Sequence, residues 1–107
     1  MMFNITGTLS TRDAWVVDYI DSYGPVSGVD EPALLDYAAA FDKPLVFARR
    51  LGRARCKPFE KKLINLWERG ILVRDKRPSE YSDRKGVWYY GLSNKHPGEP
   101  FINTNGV

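Results

Sequence analysis

The chain has 107 residues, 43% of them hydrophobic and 27% charged, which is typical of one globular domain. It has no apolar run long enough to span a membrane, no secretion signal in its first ten residues, and a single cysteine, Cys56, which excludes an internal disulfide and a cysteine-based zinc site. With one histidine, His96, we expect no histidine-dependent triad and no multi-histidine metal site. The composition predicts a cytoplasmic protein that is not an enzyme and needs no cofactor or metal.

The net charge of +3 is unevenly distributed along the chain. Residues 1–42 carry one basic and seven acidic side chains, residues 43–85 carry fourteen basic and five acidic, and residues 86–107 carry one of each. The chain therefore has an acidic part followed by a basic part, and the basic part is the better candidate for contact with an anionic partner.

Two helices are predicted in the acidic part. The first covers 10–23, where Ser10 and Asp13 have the form of a capping box and apolar residues recur at helical spacing. The second covers 31–41 and has Pro32 in its first turn, where the missing N–H does no harm. This second helix has little polar face, so it is either buried in the core or covered by another chain.

The basic part begins with a predicted short helix over 44–51, with Gly52 as the turn and a basic connector over 53–57. A further helix is predicted over 58–69, because its apolar residues follow one another at spacings of four and three. A hairpin completes this part, with strands at 71–76 and 87–92 joined by a long polar tip.

Residues 44–92 resemble the winged helix-turn-helix families of bacterial and phage DNA-binding proteins. The stretch 47–52 is similar to the small-residue second helix and glycine turn of such motifs, and 63–72 is similar to the end of the recognition helix that leads into the wing. The chain departs from the family in its basic entry to the recognition helix, which is usually rich in Ser and Thr, and in the additional helix at 31–41.

The resemblance implies an α+β, winged helix-turn-helix fold with three to four helices followed by a β-hairpin wing. The single domain would cover 1–92, with acidic helices over 10–41 and the motif itself over 44–92. Residues 93–107, which are rich in Pro, Gly and Asn, are expected to form a loosely ordered tail. The function implied is binding of double-stranded DNA by a small transcriptional or phage/plasmid regulator, without a membrane.

Helical geometry supports DNA contact independently of the resemblance. On the helix 58–69, Lys61 lies opposite the apolar stripe and Asn65 lies at its edge, where both can reach base edges in a major groove. The side chains predicted to contact DNA from this helix and its entry are Arg53, Arg55, Lys57, Lys61, Lys62 and Asn65. Those predicted to contact the phosphate backbone from the second helix and the wing are Arg49, Arg50, Lys76, Arg77, Arg84 and Lys85.

The sequence leaves two further partners open. A homodimer is one, because a module of this size makes few DNA contacts alone, and its candidate surface on the helix 31–41 is Leu34, Leu35, Tyr37 and Phe41. A protein partner is the other, since winged-helix domains also act as protein-interaction modules without DNA binding, for example as a phage factor that acts on a host protein.

Overall fold

The fold is a small α+β arrangement, seen in a computed structural model that describes residues 9–47 and 52–92. Its elements in chain order are α1 (Thr11–Tyr23), β1 (Val26–Ser27), α2 (Glu31–Phe41), β2 (Val46–Phe47), β3 (Ala54–Arg55), α3 (Lys57–Glu68), β4 (Leu72–Arg77) and β5 (Val87–Leu92). An antiparallel sheet has the strand order β1-β5-β4, and β2 pairs separately with β3. The predicted α+β class is confirmed, whereas the predicted tail over 93–107 lies outside the described residues.

Helix α1 begins where the sequence predicts because the capping box forms. The Ser10 hydroxyl accepts a hydrogen bond from the Asp13 backbone N–H at 3.1 Å, and the Asp13 carboxylate accepts one from the Ser10 N–H at 3.0 Å. The helix ends at Gly24, whose φ of 94° is open to glycine and whose N–H donates to the Ile20 carbonyl.

The core is formed by one face of each helix and the inner face of the three-stranded sheet. Its buried hydrophobic members are Val16, Ile20, Val26, Ala33, Leu34, Tyr37, Ala38, Ala54, Cys56, Phe59, Leu63, Leu66, Ile71, Leu72, Tyr90 and Leu92. The predicted apolar stripe of the helix 58–69, now α3, is therefore confirmed as core. Within the described residues, no helix is both long and apolar enough to cross a membrane.

The predicted dimer surface on α2 is wrong for its two central members. Leu34 and Tyr37 are 0% and 1% exposed, because they pack into the core of their own chain and are not available to a second copy. Phe41 is half-buried and its ring lies 5.1 Å from that of Tyr37, while Leu35 is exposed. Burial within the domain, the alternative that the sequence left open, accounts for the apolar character of α2.

The predicted helix over 44–51 is also wrong where the structure describes it. Val46 and Phe47 form β2, which pairs with β3 in the register Val46↔Arg55 and Phe47↔Ala54. A β-branched residue followed by an aromatic one favours an extended backbone, and a stretch this short gives helical periodicity little weight. The predicted contact residues Arg49 and Arg50 lie outside the described residues.

Helix α3 leads directly into the hairpin, as predicted. Gly70 follows the helix with a φ of 79°, and the hairpin register runs from Leu72↔Leu92 to Arg77↔Val87. The sequence did not predict β1, whose two residues pair with Tyr89 and Tyr90. Because side chains alternate across a strand, alternate residues of β4 and β5 face α3 and the others face away.

Candidate nucleic-acid interface

The outer face of α3 is a polar stripe opposite the buried one. At 100° per residue, Lys57, Lys61 and Glu68 lie about 180° from the core-facing side chains, and all three are exposed. Ile64 lies on the same stripe and is 41% exposed, although it is apolar. The stripe therefore offers two cations and one hydrocarbon group to a partner.

A groove of about 220 Å³ separates this face of α3 from the hairpin. Three of its lining residues are cationic, Arg55, Lys76 and Arg84, and the apolar ones include Ile64, Val87 and Trp88. Arg55 is oriented by Glu60, since its Nε donates to the Glu60 Oε2 at 2.7 Å. The groove thus brings together cations from the connector and the wing, which are far apart in the sequence.

A second groove, of about 290 Å³, lies on the other side of α3. It is lined by Arg12, Tyr37, Lys43, Pro58, Lys61, Lys62 and Asn65. Arg12 and Lys43 are additions that the sequence reasoning missed, because each is the lone cation of a neighbourhood that is otherwise acidic. The contact that brings α1 against α3 is what places Arg12 beside Lys61 and Lys62.

Lys62, predicted to contact DNA, is instead held by Asp13 of α1. The Lys62 Nζ lies 2.7 Å from the Asp13 Oδ1, and the Arg69 Nη1 lies 3.1 Å from the Asp13 Oδ2. Asp13 is buried, and burial alone would raise its pKa, but hydrogen bonds from Lys62, the Ser10 N–H and Arg69 outweigh burial and hold the pKa well below its usual range. Lys62 therefore joins α3 to α1 and is not a principal contact residue.

Asn65, the other predicted base-reading residue at this edge, is exposed and partly engaged. Its Oδ1 accepts a hydrogen bond of 2.8 Å from the Arg69 Nη1. The same guanidinium nitrogen donates to Asp13, so the exposed edge of α3 is tied to the ion pairs below it.

The hairpin is fixed against α3 by an arginine between two indole rings. The Arg74 guanidinium carbon lies 3.5 Å from the centroid of Trp67 on α3 and 4.0 Å from that of Trp88 on β5. The Lys76 Nζ lies 5.2 Å from the same Trp88 ring. Trp88, predicted to be a core residue, is 39% exposed and lines the groove. These contacts set the distance between helix and wing, and the sequence offers no signal for them beyond the residue types.

The predicted wing cations divide between the two faces of the hairpin. Lys76 is exposed on the groove side, and Arg84 and Lys85 are exposed at the tip. Arg77 lies on the opposite face of β4, with its guanidinium 5.0 Å from the Tyr89 ring, so it does not line the groove. Arg53, at the start of the connector, is half-buried.

Among residues 9–47 and 52–92, no group of three or more His, Cys, Asp or Glu side chains is placed to hold a metal ion. Comparison with protein-family models, with curated proteins and with solved structures finds no match to this chain.

Proposed function

We propose that this chain binds duplex DNA, with α3 in the major groove and the β4–β5 hairpin on the flanking backbone. The observation that carries the proposal is the pair of cation-lined grooves on either side of the exposed face of α3. One contributes Arg55, Lys76 and Arg84, and the other contributes Arg12 and Lys43. Cations on both sides of a protruding helix suit the two phosphate strands that border a major groove.

The dimensions of α3 support the same arrangement. Its 12 residues make a rod about 18 Å long, and a major groove about 12 Å wide accommodates one α-helix. The apolar stripe holds one side of the rod in the core, which leaves the opposite side to enter the groove.

The order of the elements supports a winged-helix interpretation with a changed assignment. Helix α2, in place of the predicted 44–51, becomes the first helix of a helix-turn-helix pair, and α3 is its recognition helix. The two helices pack through Tyr37 and Phe59, whose ring centroids are 5.2 Å apart. The connection between them, residues 42–56, is longer than the turn of such a motif and contains the β2–β3 pair.

Two side chains on α3 are suited to reading bases. Lys61 can donate to the O6 and N7 acceptors of guanine, and Ile64 can contact the methyl group of thymine. The cations of the wing and of the second groove bind phosphate, which fixes the position of the helix and carries no sequence information.

The test is fluorescence anisotropy of a labelled random duplex of about 20 base pairs titrated with the protein at about 50 mM salt. The double variant K57A/K61A is expected to bind at least tenfold more weakly, because it removes two cations from the outer face of α3. Its thermal unfolding should match that of the wild type, since both side chains are exposed.

A matched pair of hairpin variants supplies the control. Lys76 and Arg77 are neighbours in the sequence, but they lie on opposite faces of β4. We expect Lys76→Gln to weaken binding several-fold and Arg77→Gln to change it less than twofold. Equal losses in the two variants would remove the groove from the interface. Absence of binding by the wild type at low salt would favour the protein-interaction alternative.

A further inference from the structure

A second surface of the molecule combines aromatic rings with carboxylates. Along α1, the rings of Trp15 and Tyr19 stack at 5.1 Å between centroids, and those of Tyr19 and Tyr23 lie 4.7 Å apart. Trp15 is anchored from below by Tyr37 and Phe41 of α2, at 5.5 and 5.9 Å. The row therefore starts on a fixed ring and leads outward to Tyr23, which is 75% exposed.

This row forms one wall of a groove of about 350 Å³, which we call the aromatic groove. Its lining residues are Trp15, Asp18, Tyr19, Ser22, Tyr23 and Asp36, and none of them lines the two basic grooves. At about 30 Å³ per water molecule the groove has room for roughly a dozen waters, enough for a long side chain to enter.

The carboxylates of the aromatic groove come from two helices. Asp18 belongs to α1 and Asp36 to α2, and the Asp36 Oδ2 accepts a hydrogen bond of 3.3 Å from the Tyr19 hydroxyl. Burial, together with the Asp36 charge, raises the pKa of Tyr19 to about 12, so the phenol keeps its proton and continues to donate. No cationic side chain lines this groove, so its negative charge is not neutralised there.

We propose that the aromatic groove is a docking surface for an arginine-bearing basic segment of a partner protein. A guanidinium can stack on the exposed face of Tyr23 and reach Asp18 or Asp36 with its N–H groups, which uses both features of the groove at once. A phosphate-bearing partner is disfavoured by the carboxylates. The acidic charge of residues 1–42 extends the attraction beyond the groove itself and would speed association with a basic partner.

The occupant implied is thus different from the one proposed for the basic grooves. DNA binds the cationic surface around α3, whereas the aromatic groove accepts a cationic protein segment. A chain with both surfaces can hold a basic partner protein beside the DNA that it binds.

The test is an NMR titration of the full chain, labelled with nitrogen-15, with a tetra-arginine peptide, and with tetra-lysine and tetra-glutamate peptides for comparison. We expect shifts concentrated at α1 residues 15–23 and around Asp36, with tetra-arginine binding more tightly than tetra-lysine and tetra-glutamate not binding. Tyr23→Ala should weaken tetra-arginine binding about five-fold, because the stacking ring is lost, and Asp36→Asn should weaken it by a similar factor. Duplex DNA affinity should not change in the Tyr23 variant.

Asp42→Asn is the matched control, because it removes the same charge outside the groove and asparagine tolerates the left-handed backbone at that position. An equal loss of peptide affinity in the Asp42 and Asp36 variants would overturn the proposal, since the attraction would then be general to the acidic surface. Self-association that Tyr23→Ala abolishes, seen by light scattering in the absence of peptide binding, would overturn it in favour of a second copy as the occupant.

Discussion

Asp13 is expected to be the most sensitive polar position in the fold, and Asp13→Asn tests this. The carboxylate completes the cap of α1 and binds Lys62 and Arg69 of the α3 segment, all while buried. Removing one partner from a buried ion pair costs about 3–5 kcal/mol, but these two cations retain about a fifth of their exposure and are partly solvated. We therefore expect a loss of about 2–4 kcal/mol in the free energy of unfolding.

Urea denaturation followed by tryptophan fluorescence measures this loss, and it should appear as a melting temperature lower by roughly 10–20 °C. Asp18→Asn, an exposed charge removal on the same helix, is the control and should stay within about 0.5 kcal/mol of the wild type. A variant at position 13 as stable as that control would refute the reasoning.

The pH dependence gives a second signature of the same contact. The pKa of Asp13 is lower in the folded chain than the value of about 3.9 expected when it is unfolded. The carboxylate therefore contributes its full stabilisation above about pH 4 and loses it progressively as the pH falls further. The gap in stability between the wild type and Asp13→Asn should narrow over that range.

Three further substitutions test the packing that positions the interface. Arg74→Ala should cost about 1–2 kcal/mol in urea denaturation, because the guanidinium stacks on two indole rings, and Arg74→Lys should cost less. Gly70→Ala should cost about 1 kcal/mol, since φ is 79° there, and Gly70→Asn should restore part of it. Leu63→Ala should cost about 2–5 kcal/mol, whereas Ile64→Ala, at the exposed neighbouring position, should cost about 1 kcal/mol or less by the same measurement.

Local signals predicted the elements that local chemistry determines. The capping box of Ser10 and Asp13 marked the start of α1, and the spacing of Phe59, Leu63 and Leu66 identified the buried face of α3. The hairpin followed from two β-rich runs separated by a polar stretch. In each of these cases the deciding contacts lie within one helix or between two adjacent strands.

The errors concern segments whose conformation depends on distant partners. Strand β1 has two residues and exists because it pairs with β5, which no local pattern announces. The segment 44–51 has a composition open to either helix or strand, and pairing with β3 decides the described part of it. Leu34 and Tyr37 were ambiguous between core and interface, and the packing of α2 against α1 and α3 resolves this.

The candidate interface divides in the same way. Lys57 and Lys61 were placed on the outer face of α3 by helical geometry alone. The pairing of Lys62 with Asp13, and the presence of Arg12 beside α3, depend on how α1 packs. Strand alternation separates Lys76 from Arg77, but the strand register had to be known before their faces could be assigned.

The salt dependence of duplex affinity tests the central claim most directly. If about six cations neutralise phosphates, a plot of log Kobs against log salt concentration should have a slope near −5 for the wild type. The slope should become shallower by about 2 in K57A/K61A and by about 1 in Lys76→Gln, and should change least in Arg77→Gln. A wild-type slope shallower than about −1, or no measurable binding at about 50 mM salt, would contradict the account.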